Sequence, residues 1–241
     1  MLPRFFVPPP LKAGERCVLP PGPTRHVQVL RLQPGDAITL FDGHGGEWQA
    51  CIEQMGRSVV SVQLLSHQPV DRELDFDVTI ALGMPANERM DSVVEKATEL
   101  GVAAIQPLIC ERSVLRLTGE RADKKVAHWQ AVAAAASEQC GRTRVPTVQP
   151  VRALSAWLAG LVPGSMGRRH VLSLRAGGHN IAAAQAGEPL LFLSGPEGGL
   201  SEAEEQAALQ AGFQPLSLGP RVLRADTAPL AVLATLALSA R

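Results

Sequence analysis

Residues 190–204 read LLFLSGPEGGLSEAE, and this stretch predicts a buried strand, a glycine-rich turn and the first turn of a helix. The apolar run at residues 190–193 has the length of a buried strand. Ser201 and Glu204 have the spacing of a capping box, which predicts that a helix begins at Glu202. Glycines between the strand and the helix allow the backbone to approach a ligand closely. The stretch therefore predicts a binding loop at the end of a strand.

A second unit of the same kind follows closely in the chain. LSLG at residues 216–219 indicates the end of a strand, and RVLRADT at residues 221–227 precedes another helix. In α/β proteins, loops at the carboxyl ends of neighbouring strands form ligand crevices. Two adjacent loops that are both rich in backbone donors favour a small-molecule pocket over a pair of tight turns.

From residue 76 onward, strand-like and helix-like segments alternate, which predicts a parallel sheet covered by helices and hence an α/β domain. Gly101 and Gly141 are placed to end the two predicted helices. The last helix, from about Ala228, is apolar on nearly every face, so we expect it in the core or in a subunit interface. The other predicted strands lie at residues 78–82, 102–109, 147–151 and 170–174, and the other predicted helices at residues 88–100 and 122–140.

The N-terminal part has short strand-like runs separated by turns, at residues 16–19, 37–41, 48–52 and 59–64. A short helix is predicted at residues 23–31, with Thr24 as a possible N-cap. Short strands around one helix predict a small β-barrel. The polar segment at residues 67–75 contains a proline and predicts the boundary between two domains.

Composition limits the possible classes of protein. The chain has 241 residues, 46% of them apolar, which is enough for a folded, soluble protein of one or two domains. No apolar stretch has the length of a membrane span, and the first residues lack a signal-peptide core, so we expect a cytoplasmic protein. The four cysteines are scattered and predict neither a metal site nor a redox motif.

Net charge is zero, so bulk electrostatics give no argument for nucleic acid. Residues 112–144, however, contain seven Lys or Arg and three acidic residues, a local net charge of +4. This local excess fits a polyanion-binding patch, and it equally fits a solvated helical face.

Common enzyme signatures are absent from the sequence. The glycine-rich stretch lacks the Lys-Ser/Thr of a Walker A loop, and the chain has no dinucleotide fingerprint, no nucleophile elbow and no paired histidines with metal-ligand spacing. Glu197 could hydrogen-bond a ligand or serve as the acidic partner of a helix N-terminus. Arg224 could contact a ligand anion or pair with Asp226.

Eight sequence blocks, in their order and spacing, resemble the E-type family of bacterial small-subunit ribosomal RNA uridine-N3 methyltransferases in the SPOUT superfamily. The resemblance covers almost the whole chain. Two positions depart from the family pattern: Asp226 replaces the usual Glu, and residues 175–179 replace a more acidic loop. The blocks are PRFFV at 3–7, HVQVLR at 26–31, EKATELGV at 95–102, ERS at 111–113, EQCGR at 138–142, LSGPEGG at 193–199, LSLG at 216–219 and LRADTA at 223–228.

The resemblance implies a PUA-like RNA-binding β-barrel at residues 1–71 and a SPOUT methyltransferase domain with a deep trefoil knot at residues 72–241. It also implies a homodimer that uses S-adenosylmethionine, without a metal, to methylate N3 of a specific uridine in 16S ribosomal RNA or the small ribosomal subunit. Three alternatives stay open: a non-catalytic RNA-binding dimer, methylation of a different RNA nucleotide, and a nucleotide-binding enzyme that uses the glycine loop for phosphate.

Together with the two loops, the resemblance implies specific site residues. Arg224 is expected to stabilise the uracil anion through an oxygen of the base, and Asp226 to orient Arg224 or to accept the proton. The predicted phosphate contacts are Arg4, Arg25 and Arg31 in the barrel and Arg112, Arg142 and Arg144 in the second domain. The predicted cofactor-binding residues are Leu172, Leu193, Ser194, Gly195, Pro196, Glu197, Gly198, Gly199, Leu216, Leu218, Gly219, Val222, Leu223 and Thr227.

Overall fold

The computed structural model describes residues 2–162, 167–173 and 187–239 and divides the chain into two compact units. The first unit comprises Met1–Glu73 and Ala134–Val145, and the second comprises Leu74–Ala133 and Pro146–Arg241. Residues 134–145 therefore group with the N-terminal residues, which no local sequence pattern predicts.

The first unit is built on a five-stranded sheet and contains helix α1 (Pro21–Val29). The strand order is β1-β3-β4-β5-β2; β1 and β3 are parallel, and the other pairs are antiparallel. Alternate residues of β4 point inward, which is the pattern of a sheet with one face on a core. The strands are β1 (Arg4–Phe6), β2 (Arg16–Val18), β3 (Ala37–Phe41), β4 (Glu47–Met55) and β5 (Val60–Gln68).

The helix of the first unit begins earlier than predicted, so the assignment of Thr24 as its N-cap is wrong. Pro20 occupies the N-cap position, and Pro21 follows as the first helical residue. Proline is favoured there because its fixed φ suits the first turn and no intrahelical N–H bond is lost. Thr24 is a buried residue within the helix, and its hydroxyl donates to the carbonyl of Leu19 at 3.0 Å.

The second unit contains a seven-stranded parallel sheet in the order β12-β10-β11-β6-β7-β8, with β9 paired to β7. The predicted alternation of strands and helices is confirmed. Its strands are β6 (Val78–Gly83), β7 (Ala104–Ile109), β8 (Thr147–Val148), β9 (Arg152–Ala153), β10 (Arg168–Leu172), β11 (Leu190–Ser194) and β12 (Gln214–Leu216). Its helices are α2 (Asn87–Glu99), α3 (Gly119–Cys140, whose end belongs to the first unit), α4 (Leu154–Ala159), α5 (Glu202–Gln210) and α6 (Thr227–Ser239).

Strand β11 is central to the second unit, because it pairs with β10 on one side and β6 on the other. All its residues are buried, as its continuous apolar sequence predicts for a parallel strand covered on both faces. The predicted capping box is also confirmed: the Glu204 N–H donates to Ser201 Oγ at 3.3 Å, and Glu204 Oε2 accepts from the Ser201 N–H at 2.9 Å.

Several elements end earlier than predicted, and β1, β9 and α4 were not predicted. Strand β12 ends at Leu216, so Leu218 lies in the following loop. Strand β10 ends at Leu172, and residues 174–179, which include the predicted end of this strand and the RAGGH segment, lie outside the described residues. Helix α4, with six residues, was not predicted.

Helix α6 packs against α2, β6 and β11 and buries one face, including Val232, Leu233 and Leu236. Leu238 lies on the other side of the helix and is 74% exposed. Among the described residues, none of the helices combines the length and apolar composition that crossing a bilayer requires.

Candidate active site

A cavity of about 680 Å³ opens in the second unit at the carboxyl ends of β10, β11 and β12. It lies between the two loops that the sequence singles out. Of the predicted cofactor-binding residues, its walls include Leu172, Ser194, Gly195, Pro196, Glu197, Gly198, Gly199, Leu216, Leu218, Val222 and Leu223. Arg224 lines it as well.

Three predicted residues lie outside the cavity lining. Leu193 is fully buried within the hydrophobic core of the second unit, because alternate residues of β11 point to opposite faces of the sheet. Gly219 and Thr227 flank the lining residues of the second loop without being among them.

The glycine loop, residues 195–200, is a tight turn that continues from β11. The N–H of Gly199 donates to the carbonyl of Pro196 at 2.8 Å, and Gly199 has a φ of 68°, a conformation that glycine adopts at low cost. At Gly195, a Cβ atom would lie 2.7 Å from the backbone nitrogen of Leu200. The compact turn therefore excludes any side chain at position 195.

Glu197 connects the glycine loop to the start of α2. Its Oε1 accepts the N–H of Ala86 at 3.0 Å and lies 3.6 Å from Nη1 of Arg89. The carboxylate therefore serves the N-terminus of α2, whose positive end it complements, rather than that of the helix that follows it in sequence.

The second loop, residues 217–226, leads into α6. The carbonyl of Arg224 accepts the N–H groups of Thr227 and Ala228 at 3.0 Å each, so its backbone anchors the helix start, and the residue is exposed and lines the cavity. Asp226 does not line the cavity, and its Oδ1 accepts the hydroxyl of Thr227 at 3.4 Å. Both residues are described, and no ion pair joins them, so the predicted Arg224–Asp226 pair is not part of this geometry.

Four charged residues that were not predicted from the sequence also line the cavity. Arg89 lies in the first turn of α2, directly after β6, so the same strand–loop–helix logic could have found it. Glu202 and Glu205 lie in the first turn of α5, and Glu205 accepts the hydroxyl of Ser173. Arg221 lies in the second loop, among the residues that were predicted.

The cysteine nearest this region is not a nucleophile. Burial raises the pKa of the Cys110 thiol to about 12, and the neighbouring carboxylate of Glu204 acts in the same direction. The thiol therefore stays protonated near neutral pH, whereas nucleophilic attack requires the thiolate. Within residues 2–162, 167–173 and 187–239, no group of His, Cys, Asp and Glu side chains is placed to hold a metal ion.

The predicted phosphate-binding arginines fall into three groups. Arg25, Arg31 and Arg144 are exposed in the first unit, and Arg112 lines the cavity of the second. Arg4 and Arg142 correct the prediction, because both are buried in ion pairs, with Glu47 and Glu73 respectively.

Comparisons with known proteins agree with this geometry. The RNA methyltransferase domain family matches residues 72–237, and the RNA methyltransferase PUA domain matches residues 24–65. Ribosomal RNA small subunit methyltransferase E of Bacillus subtilis is 32% identical over 216 residues, 87% of this chain and 84% of the relative. The Synechocystis protein of the same name is 33% identical over 210 residues, 86% of this chain and 67% of the relative.

Solved structures extend the similarity to the whole chain. The Neisseria gonorrhoeae ribosomal RNA small subunit methyltransferase E bound to S-adenosyl methionine is 38% identical, with a TM-score of 0.90 over 98% of this chain and 96% of that one. The Legionella pneumophila protein Lpg2936, solved with the bound cofactor SAM, is 33% identical, with a TM-score of 0.91 over 98% and 97% of the two chains.

Proposed function

The chain belongs to the RNA methyltransferase family that includes the ribosomal RNA small subunit methyltransferases E, and we propose that it transfers a methyl group from S-adenosylmethionine to N3 of a uridine in small-subunit ribosomal RNA. The observation that carries the proposal is the cavity between the glycine loop and the second loop. It lies in a chain that resembles a cofactor-bound relative over nearly its whole length.

The residues of the cavity suit S-adenosylmethionine. A volume of about 680 Å³ lies within the usual range for small-molecule sites. Leu172, Leu216 and Leu218 offer an apolar wall for an adenine ring, while Glu202 and Glu205 add carboxylates that can accept from hydroxyl or ammonium groups. The two loops also bring backbone polar groups to the lining.

When bound, S-adenosylmethionine supplies an electrophilic methyl group on a positively charged sulfur. The acceptor nitrogen carries a proton in neutral uracil, so the protein must favour its loss. Arg224 lines the cavity, and we assign its guanidinium the role of donating hydrogen bonds to a uracil oxygen. Because negative charge grows on that oxygen as the proton leaves, the contact stabilises the transition state more than the ground state.

The target base has to be unpaired when it reacts. N3 lies on the Watson–Crick edge, which is occupied in an RNA helix, so the uridine must be single-stranded or flipped into the cavity. The exposed guanidinium of Arg224 at the cavity wall is accessible to such a base.

RNA binding is assigned to the first unit, in keeping with the match to a PUA domain and with the predicted domain at residues 1–71. Its exposed arginines, Arg25, Arg31 and Arg144, are our candidates for phosphate contacts. Charge reversal at Arg31 is expected to weaken RNA binding and to flatten its salt dependence without changing cofactor affinity.

We further propose a homodimer that acts in the cytoplasm, where ribosomal RNA is its substrate. The sequence of α6 is apolar on nearly every face, whereas only one face is buried in its own unit, and we place the remaining surface, with Leu238 74% exposed, in the dimer interface. Sedimentation at micromolar concentration tests the dimer, since a stable monomer would contradict it.

Two measurements test the reaction. Calorimetry with S-adenosylmethionine, S-adenosylhomocysteine and ATP should give binding to the first two alone. Incubation with small ribosomal subunits and a labelled methyl donor should label one uridine, where reverse transcription stops because N3-methylation blocks pairing. Binding of ATP alone would favour a nucleotide-binding enzyme, and RNA binding without cofactor binding would favour a non-catalytic role. Methylation that leaves the pairing edge free would refute the assignment of N3.

A further inference from the structure

The segment that follows β7 contacts the glycine loop, although the two are far apart in sequence. Nη1 of Arg112 donates to the carbonyl oxygens of Gly198 and Leu200, at 3.0 and 3.3 Å. The N–H of Glu111 donates to Oε1 of Glu204 at 2.7 Å. One side-chain nitrogen and one backbone N–H thus connect this segment to the loop and to the first turn of α5.

These bonds fix two peptide groups of the glycine loop from both sides. In the peptide between Gly198 and Gly199, the carbonyl accepts from Arg112 and the N–H donates to the carbonyl of Pro196. In the peptide between Leu200 and Ser201, the carbonyl accepts from Arg112 and the N–H donates to Glu204. A peptide plane held at both its oxygen and its nitrogen has little freedom to rotate.

The packing at Gly198 supports the same role. A Cβ atom at this position would lie 3.0 Å from Cβ and 3.4 Å from Cδ of Arg112, so the aliphatic stem of the arginine covers the glycine. A side chain at position 198 would therefore press on the stem of Arg112, so glycine leaves room for this arginine in its observed position.

The segment itself is preorganised. Ser113 forms a closed turn with Cys110, in which Oγ of Ser113 accepts the N–H of Cys110 at 3.0 Å and its own N–H donates to the carbonyl of Cys110 at 3.1 Å. Nη2 of Arg116 donates to the carbonyl of Glu111 at 2.8 Å. Arg112 therefore starts from a fixed backbone, and its hydrogen bonds lose less conformational entropy than those of a mobile loop.

We propose that Arg112 is a positioning residue that holds the glycine loop in its binding conformation, with Glu204 as a second tie, and that it is not a phosphate contact. The inference rests on the proposed function, since the ligand of the loop is taken to be S-adenosylmethionine. It assigns a function to the Glu111–Arg112–Ser113 block, which is to hold the glycine loop at the cavity.

A phosphate contact and a positioning role for Arg112 predict different binding results. A phosphate contact would affect RNA affinity and its salt dependence and leave cofactor affinity unchanged in the absence of RNA. A positioning role affects cofactor affinity without RNA and leaves the salt slope of RNA binding unchanged. Calorimetry with S-adenosylmethionine alone therefore separates the two roles.

Arg112→Ala should weaken S-adenosylmethionine binding about tenfold, which corresponds to about 1.4 kcal/mol and is a reasonable sum for two solvent-accessible hydrogen bonds. Arg112→Lys keeps a donor on a shorter stem and should recover part of the affinity. Arg121→Ala is the matched control: it removes an exposed arginine from α3, outside the cavity lining, and should bind the cofactor like the wild type.

A second readout needs no cofactor. In the ligand-free protein, amide hydrogen exchange at residues 197–201 should become faster in Arg112→Ala, while residues 190–193 of β11 keep wild-type protection. A matched pair tests the second tie. Glu204→Ala removes the carboxylate half of the capping box together with the bond to Glu111, whereas Ser201→Ala removes only the hydroxyl half of the capping box. Loop exchange should therefore rise more in Glu204→Ala.

Wild-type affinity and wild-type loop exchange in Arg112→Ala would overturn the inference. If Arg112→Ala does not fold, the same comparison is made with Arg112→Met, which keeps an aliphatic stem but has no donor, and for which unchanged affinity and exchange count against the proposal. If the wild type binds no S-adenosylmethionine, the proposed function fails, while the exchange experiment still decides whether Arg112 holds the loop.

Discussion

Arg142 and Arg144 lie two residues apart in the first unit, and the structure predicts very different costs for replacing them. Nε of Arg142 donates to both carboxylate oxygens of Glu73, at 3.0 and 3.2 Å, and the two side chains are only 6% and 12% exposed. Nη2 of Arg144 lies 3.9 Å from a carboxylate oxygen of Asp71, and these side chains are 55% and 62% exposed. The first pair is removed from water, and the second is not.

The difference in burial sets the expected magnitudes. Arg142→Ala leaves the Glu73 carboxylate buried without its cation, which costs about 3–5 kcal/mol of unfolding free energy. Arg144→Ala removes a solvated pair and costs about 0–1 kcal/mol. With a urea m-value of about 1–3 kcal/mol/M, Arg142→Ala should lower the unfolding midpoint by about 1 M or more.

Urea denaturation followed by circular dichroism and by tryptophan fluorescence measures the difference, and Trp48 reports on the first unit. The double variant Arg142→Ala/Glu73→Ala should be more stable than Arg142→Ala alone, because it removes the unpaired carboxylate. Equal, small losses for Arg142→Ala and Arg144→Ala would refute the reasoning, as would a double variant that recovers nothing.

Three further predictions follow from individual side chains. Arg224→Ala should lower the single-turnover methylation rate roughly a hundredfold at saturating cofactor and RNA, and a near-normal rate would remove Arg224 from the chemistry. Burial raises the pKa of Glu138 above 4.5, so its contribution to stability is present at low pH and is lost as pH rises through the folded pKa. Glu138→Gln keeps an acceptor for the N–H of Phe6 and stays neutral; urea denaturation should find it at least as stable as wild type at pH 7, with no advantage at pH 4. Cys110, with a pKa of about 12, should react with iodoacetamide at pH 8 only after unfolding, and rapid labelling of the native protein would contradict its burial.

Short-range sequence patterns predict most of the strands and helices of the second unit and the location of its cavity. Strand β11 follows from an uninterrupted apolar run, and α5 from the capping box of Ser201 and Glu204. Both signals involve residues within four positions of each other, where local backbone chemistry decides the conformation. The helix that contains residues 134–140 was predicted, but no local signal places residues 134–145 with the N-terminal residues, because this grouping is set by contacts between residues distant in sequence, such as Arg142 with Glu73.

The same limit explains why the arginines could not be sorted from the sequence. An exposed, a buried and a loop-positioning arginine have the same side chain, and only the partner distinguishes them. Arg4 pairs with Glu47, which is 43 residues away in the sequence, and Arg112 donates a hydrogen bond to Gly198, which is 86 residues away. Charge counting over residues 112–144 therefore grouped side chains that the fold uses for different purposes.

The GPEGG motif shows why identical residues in one motif need separate physical accounts. Sequence reasoning gives its glycines a single purpose, close approach of the backbone to a ligand. In the structure, Gly195 is required by the nitrogen of Leu200, Gly199 is favoured by its left-handed φ, and Gly198 leaves room for the stem of Arg112. Each constraint comes from the protein itself, so internal packing and hydrogen bonds set the conformation of the loop in the absence of a ligand. A loop shaped in this way offers its polar groups without paying for their ordering when a ligand arrives, which is the physical basis of preorganised binding.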